Sequence, residues 1–275
     1  MASPGYICAM LLPILRQATE AGAKELLRFF NSDTLKTSIK PGGVNDLVTE
    51  ADHASDKAII SVIKNAFPDH FILSEETGNI STDSEYKWII DPIDGTINFA
   101  QGIPLCCVSV GLEKAGTIIA GAVYNPVMNE YYFAEKGKGA FLNDKPIHVS
   151  SRSTLLNACL VTGFPYTYLD SPNGPLQCFE RFIRKGVPVR RLGSAAIDLC
   201  WVAAGRFDGF YEHKLNAWDS AAGFLMVEEA CGKVTDFKND YYNVYQPHIV
   251  ATNGLIHDEL VTVINNEHDF FKLNA

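Results

Sequence analysis

The residues with the most evident chemistry stand together in Trp88-Ile89-Ile90-Asp91-Pro92-Ile93-Asp94-Gly95-Thr96-Ile97-Asn98-Phe99, where an apolar run ends in two carboxylates and a Gly-Thr step. Those residue types suit a divalent cation beside a phosphate, because carboxylates are hard oxygen ligands and the N–H groups at a helix start can face an anion. Trp88 to Ile90 read as a buried strand and the pattern then switches to turn chemistry, so the acids are expected at a strand's end. Pro92 fixes its own φ and biases Asp91 toward extended backbone, which predicts a stiff turn from Asp91 to Asp94. Gly95 lets a ligand come close to the main chain.

Other acids fall at comparable places. Glu75 and Glu76 follow a strand expected over 71–73, and Asp219 opens the helix expected over 218–230. If Glu75, Asp91, Asp94 and Asp219 share a pocket they repel one another, so cation binding would both order the site and weaken at low pH. Bland readings stand beside these. Thr49 and Asp52 form a capping pair for a following helix, and Asp219 complements a helix dipole. Glu212, next to His213 and Lys214, is either a surface salt-bridge residue or a substrate contact, and the pair Arg190-Arg191 either binds a second phosphate or, as paired arginines at a strand edge more often do, is structural or solvated.

The elements that would hold these residues follow from periodicity. Leu11, Ile14, Leu15, Ala18, Leu26 and Phe29 predict a helix over 7–30 with a disturbance at Pro13. Lys40-Pro41-Gly42-Gly43 breaks the pattern, and Asp46 to Asp52 leads into a helix through Ala58, Ile59, Val62 and Ile63. Segments 105–112, 117–124 and 131–134 predict an antiparallel meander. From Cys159 onward the types alternate: strand near Leu160, helix over 176–184, strand over 187–192, helix after Ser194, strand over 207–212 and helix over 218–230. The fold class is therefore α+β in the first half and alternating α/β in the second, in layers. The chain reads as one unit over 1–275 with subdomains of about 1–150 and 151–275, divided at Ser150-Ser151-Arg152-Ser153.

Composition narrows the class. Of 275 residues 47% are hydrophobic and 20% charged, which fits a globular chain without disorder. The apolar run 7–15 is short, contains Pro13 and lacks a basic flank, so neither a signal peptide nor a membrane span is expected and the cytoplasm is the expected compartment. The net charge of −9 and the lack of a basic stripe argue against nucleic acid as a partner. The same charge does not exclude a phosphorylated substrate, because screening beyond about 8 Å leaves bound cations in control of the local field. Cysteines 8, 106, 107, 159, 178, 200 and 231 form no CxxC pair and read as small buried hydrophobes, and histidines 53, 70, 148, 248, 257 and 268 show no ligand spacing.

Taken with Ser74-Glu75-Glu76 upstream and Trp218-Asp219-Ser220-Ala221-Ala222 downstream, the stretch from Asp91 to Phe99 resembles the inositol monophosphatase family of magnesium-dependent, lithium-sensitive phosphatases, in a superfamily that includes fructose-1,6-bisphosphatases. Asp46-Leu47-Val48-Thr49-Glu50-Ala51-Asp52 and Gly193-Ser194-Ala195-Ala196 are similar to further family segments, so the resemblance covers almost the whole chain. It implies a layered α-β-α-β-α sandwich, a homodimer, and two to three Mg2+ ions per site, with Mn2+ as a substitute. By the same resemblance Glu75, Asp91 and the Ile93 carbonyl hold one ion, and Asp91, Asp94 and Asp219 a second, with Asp91 as the bridge. Asp52 and Thr96, with Glu75, would be catalytic and would orient and deprotonate the attacking water. The N–H groups of Gly95 and Thr96 would grip phosphate, and Asp94, Gly193, Ser194, Ala195 and Glu212 would wall the sugar or polyol. A family lysine that assists a further metal corresponds to Lys36 or Lys40.

The expected activity is hydrolysis of a small polyol or sugar phosphate, inositol-1-phosphate-like, with histidinol phosphate, fructose 1,6-bisphosphate and 3′(2′),5′-bisphosphate nucleotides as alternatives on the same metal core. Trp218-Asp219-Ser220 lacks the Pro-Cys that often follows Trp-Asp in bisphosphate-nucleotide relatives, which leans toward a monophosphate. Asp-Gly-Thr also closes the turn of haloacid dehalogenase-like aspartyl-phosphate phosphatases, but here two residues rather than one separate the acids. A non-catalytic metal-dependent binder is the third reading, and an intact Asp52 and Thr96 argue against it.

Overall fold

The computed structural model describes residues 4–40, 47–165 and 174–265, with side chains from residue 10. Pro41 to Asp46 and His268, which entered the sequence reading, lie outside the described residues. Helix α1 (Pro4–Phe29) leads to a small antiparallel pair, β1 (Thr37–Ile39) with β2 (Leu47–Thr49), and to helix α2 (Glu50–Ala66). An eight-stranded sheet follows, built from β3 (Phe71–Ser74), β4 (Gly78–Ile80), β5 (Tyr86–Asp94), β6 (Cys107–Lys114), β7 (Thr117–Asn125), β8 (Glu130–Glu135), β9 (Gly139–Leu142) and β10 (Lys145–Ile147), with the short helix α3 (Thr96–Ala100) after β5. The order β10-β9-β8-β7-β6-β5-β3-β4 is the expected meander with one parallel pairing, β3 beside β5.

The second sheet has the order β12-β11-β13-β15-β14, from β11 (Leu160–Thr162), β12 (Val189–Arg190), β13 (Gly209–His213), β14 (Lys233–Thr235) and β15 (His248–Thr252). Its helices are α4 (Pro175–Arg184), α5 (Ala195–Ala203), α6 (Ala217–Glu229) and α7 (His257–Asn265). Three apolar clusters define five layers. Helices α1 and α2 cover one face of the first sheet through Leu15, Leu26, Ile59, Trp88 and Ile90; α5 and α6 fill the space between the sheets with Ile89, Leu199 and Leu225; α4 and α7 close the far side on Phe182, Tyr211 and Leu260. This is the α-β-α-β-α sandwich expected from the sequence.

Strand β5 explains why the acids sit where they do. Its edges are paired by β3 and β6 and its faces are covered by apolar clusters on both sides of the sheet, with Trp88 and Ile90 in one and Ile89 in the other. Each of these side chains contributes about 1.5–3 kcal/mol of burial. Helix α6 rests directly on the same sheet: a Cβ on Gly111 or Gly121 would come within 2.8 Å of Ala221 or Ala222. The small residues of both partners let the helix approach and carry Asp219 to the strand ends.

Several expectations needed correction. The segment from Asp91 to Asp94 is not a turn: β5 runs through Asp94, with a bulge between Asp91 and Asp94 where pairing with β6 shifts. Pro92 is tolerated there because β3 has already ended and the bulge asks no ladder hydrogen bond of it. The turn comes one residue later at Gly95, whose φ of +84° is a left-handed conformation that suits glycine. Helix α1 continues through Pro13. The strand expected over 187–192 shrinks to Val189–Arg190. Cys231 is exposed, whereas Cys106, Cys107, Cys178 and Cys200 are buried as expected. His70 is a core residue that accepts a hydrogen bond from Trp88 Nε1 at 3.0 Å, and His257 lies buried between Thr235 and Thr252.

Candidate active site

One cavity of about 390 Å3 opens between the two sheets, at the C-terminal end of β5 and the N-termini of α3, α5 and α6. It is lined by Glu75, Asp91, Asp94 and Asp219, by Ile93, Gly95 and Thr96, and by Gly193, Ser194, Ala195 and Glu212. Of the residues expected to ligate metal, act in catalysis or touch substrate, all but Asp52 line this space. Asp52 stands behind it, 1% exposed. Its contact with the site is Thr96, whose Oγ1 lies 3.3 Å from Asp52 Oδ1 and 3.0 Å from the Ile93 carbonyl. The other carboxylate oxygen of Asp52 accepts from Thr49 N at 2.8 Å and from Thr49 Oγ1 at 2.6 Å, so the capping box and the contact to Thr96 coexist in one side chain.

Each acid is fixed by its own element. Glu75 follows β3, and its N–H donates to the Ile90 carbonyl at 3.1 Å, which locks it beside β5. Asp91 Oδ1 accepts from Ile93 N at 3.1 Å. Asp94 Oδ2 accepts from Ser194 Oγ at 2.6 Å and Ala196 N at 2.7 Å, at the positive end of α5, while Ser194 also caps that helix through Ile197 N. Asp219, in the first turn of α6, accepts from Asn216 N at 2.6 Å. Lys40 Nζ reaches Glu75 at 2.7 Å and Glu76 at 2.6 Å, whereas Lys36 is exposed, so Lys40 is the lysine the fold brings to the acids.

Burial raises the affinity of these groups for protons, and their mutual repulsion adds to it. Glu75 is pushed up to about 7 by burial, opposed by Lys40 and reinforced by Glu76 and Asp52. Asp91 and Asp219 lie well above the ordinary aspartate range, first from burial and then from neighbouring carboxylates. Asp94 is also raised by burial, opposed by its hydrogen bonds to Ser194 and α5. Among the described residues no group of three or more His, Cys, Asp or Glu side chains is close enough together, as placed, to hold a metal ion by itself. Four carboxylates on the wall of an open cavity are nonetheless what magnesium-like ions use, since such ions take a few carboxylates and complete their shell with water and substrate phosphate.

Comparison with known proteins identifies the family. The model of the inositol monophosphatase family matches residues 10–269. The chain belongs to the inositol monophosphatase family. An inositol-1-monophosphatase of Mesorhizobium japonicum is 40% identical over 92% of this chain and 96% of its own length, and a protein of Pasteurella multocida named Nus factor SuhB is 40% identical over 93% and 95%. Among solved structures, the inositol monophosphatase from Anabaena (Nostoc) superposes with a TM-score of 0.83 at 37% identity, covering 94% of this chain and 96% of that one. The suhB protein of Bartonella henselae gives 0.87 at 37% identity, covering 94% and 99%. As a member of this metal-dependent family the chain is a phosphoric monoester hydrolase. Among the described residues no helix is long and apolar enough to cross a membrane.

The far wall of the cavity holds Glu212 and Arg191, for which the sequence left two readings open, and Gly163 and Asp198, which it did not single out. Glu212 is buried on β13 rather than a surface ion-pair partner, and burial, then Asp219 and Asp94, push it up to about 8 against the pull of Arg191. Its carboxylate lies over Gly163, where a Cβ would come within 2.1 Å of Oε1. Asp198, in the first turn of α5, is buried, lines the cavity and has an Oδ1 without a hydrogen-bond partner. Arg191 also lines the cavity and, like Arg190, is exposed, so a solvated side chain and a place on the cavity wall coexist there. Gly163 and Asp198 carry no sequence signal of their own, since their role depends on β11, β13 and α5 meeting.

Proposed function

We propose that this chain is a Mg2+-dependent phosphomonoesterase acting on a small polyol or sugar monophosphate of the inositol-1-phosphate type. The observation that carries this reading is the meeting in one cavity of four carboxylates from three segments, Glu75 after β3, Asp91 and Asp94 on β5 and Asp219 on α6, with the Asp52–Thr96 contact behind them. Those acids and the Ile93 carbonyl would hold divalent cations, which would supply Lewis-acid charge to the phosphate and lower the pKa of the attacking water. Thr96 Oγ1 orients the water and passes its proton toward Asp52, which burial raises to about 6, close to the pH at which a general base works best. The N–H groups of Gly95 and Thr96 hold phosphate oxygens, and Asp94 with the segment from Gly193 to Ala195 walls the polyol. Glu212 accepts its hydroxyl hydrogen bonds.

A bisphosphate is the second reading, favoured by Arg191 and Lys214 on the same cavity wall. The test is a panel of inositol, sugar, histidinol and nucleotide phosphates with Mg2+, ranked by kcat/KM, beside the Asp91→Asn variant. The polyol monophosphates are expected to lead, and Asp91→Asn to lose at least about 1,000-fold, because a bridging ligand supports several kcal/mol of charge stabilisation. Parental turnover by Asp91→Asn would sink the mechanism, and a trapped phosphoaspartate would move the chemistry to the aspartyl-phosphate class.

A further inference from the structure

Helix α2 turns one buried polar edge toward the site. Asp52, Ser55 and Asp56 stand at i, i+3 and i+4, which is one face of a helix, and all three are nearly inaccessible to solvent. Each holds a different segment. Asp52 meets Thr96 at the start of α3, and Ser55 Oγ donates to the Pro92 carbonyl in the bulge of β5 at 2.8 Å. Asp56 accepts from Ser74 Oγ at 2.5 Å on one oxygen and from Thr77 Oγ1 on the other. Ser74 and Thr77 flank Glu75, so both ends of the short segment carrying that acid are tied to one side chain. Gly22 of α1 lets the neighbouring helix close over this edge, since a Cβ there would fall within 2.8 Å of both Ile59 and Ser55 Oγ.

The choice of a carboxylate at 56 needs an explanation. Asp52, Asp91, Asp94, Asp198 and Glu212 are already buried in or beside the site, and a further buried negative charge costs several kcal/mol unless it is fully hydrogen-bonded. An ionised carboxylate is acceptor-only with two oxygens, which is what two hydroxyl donors on either side of a loop require. We infer that Asp56 is a positioning residue: through Ser74 and Thr77 it sets the distance between Glu75 and Asp91, and thereby the affinity of the site for the cation those two acids share. The inference rests on the reading of Glu75 and Asp91 as ligands to one ion. Partners behind metal ligands typically change metal affinity by about 10–100-fold when removed.

The experiment measures binding of Mn2+ by electron paramagnetic resonance and of Mg2+ by calorimetry, on the whole chain without substrate. Four proteins are compared with the parent: Asp56→Ala, Ser74→Ala/Thr77→Val, the triple combination, and Glu75→Gln. The hydroxyl pair matters most, because it removes both ties while leaving the charge of Asp56 in place, and it does not depend on Asp56→Ala folding. Asp56→Ala and Ser74→Ala/Thr77→Val are each expected to weaken Mn2+ binding by about 10–100-fold, and the triple variant to be no weaker than Asp56→Ala, since all three act through one interaction. A purely structural role would lower the melting temperature and leave the affinity of the folded protein unchanged. If Ser74→Ala/Thr77→Val, folded by circular dichroism, binds Mn2+ as the parent does while Glu75→Gln binds it poorly, the role of Asp56 is overturned and the metal reading stands. If Glu75→Gln also binds as the parent does, the metal reading itself fails and the role of Asp56 with it.

Discussion

Asp52 is held between opposed effects, and they can be separated. Burial raises its carboxyl to about 6, while the hydroxyl and N–H of Thr49 stabilise the ionised form and pull the other way. If Asp52 takes the proton of the attacking water by way of Thr96, only the ionised form works. The kcat/KM at saturating Mg2+ should then fall tenfold per pH unit below about 6. Thr49→Val removes one of the bonds that favour the charge, so the acid limb should move to higher pH; a pH–rate profile of both proteins checks this, and a flat parental profile from pH 5 to 8 removes Asp52 as the base. Asp52 was legible in the sequence because an acid three residues after a threonine has two recognisable uses, and the structure gives it both contacts. Ser55, Asp56 and Asp198 were not legible. Their polar atoms matter only once α2 docks on β3 and β5, or α5 on β13, and nothing in their local spacing announces a partner 18 or more residues away.

At the scale of elements, periodicity identified most strands and helices because apolar faces must be buried somewhere. It failed where tertiary pairing overrides local signals. Pro92 and two acids look like a turn, yet β6 continues to pair beyond them and draws Asp94 into the strand opposite Cys107. The pairing of β11 with β13 shows the same dependence and makes a prediction. Thr162 is in register with Tyr211, so the next residue, Gly163, faces Glu212, whose carboxylate occupies the space a side chain would take. Gly163→Ala should swing that carboxylate off the polyol wall without touching the acids at the end of β5. Leaving a buried hydrogen-bond partner unsatisfied costs about 1–3 kcal/mol, so KM for a polyol phosphate should rise about 5–100-fold with kcat and the Mg2+ requirement close to the parent's. Steady-state kinetics over a range of Mg2+ concentrations reads all three. A KM within twofold of the parent's would take Glu212 off the substrate wall.

The five layers of the whole molecule bring together acids that lie 144 positions apart at their extremes, 75 and 219, and folding must confine their charge in one cavity. That confinement couples stability to protons and to cations. In the folded chain Glu75 rises to about 7 and Glu212 to about 8, both chiefly through burial, and Asp91 and Asp219 are raised as well. Unfolded carboxyls titrate near 4. Between about pH 4 and 8 the native state therefore holds more protons than the unfolded one, so the stability these groups contribute is complete below the unfolded values and is lost as pH rises through the folded ones. In EDTA the melting temperature should fall from pH 5 to pH 8. Saturating Mg2+ binds the ionised native cluster, so it should stabilise most where the acids have lost their protons. The gap between melting temperatures with Mg2+ and with EDTA should thus widen as pH rises. Self-repulsion from the net charge of −9 also lowers stability at high pH, but it contributes to both curves and largely cancels in their difference. Scanning calorimetry of the parent in both buffers, with Asp91→Asn as the control that holds one acid fewer, reads that difference directly. A gap that stays constant from pH 5 to 8 would mean that protons and cations do not compete for the same carboxylates.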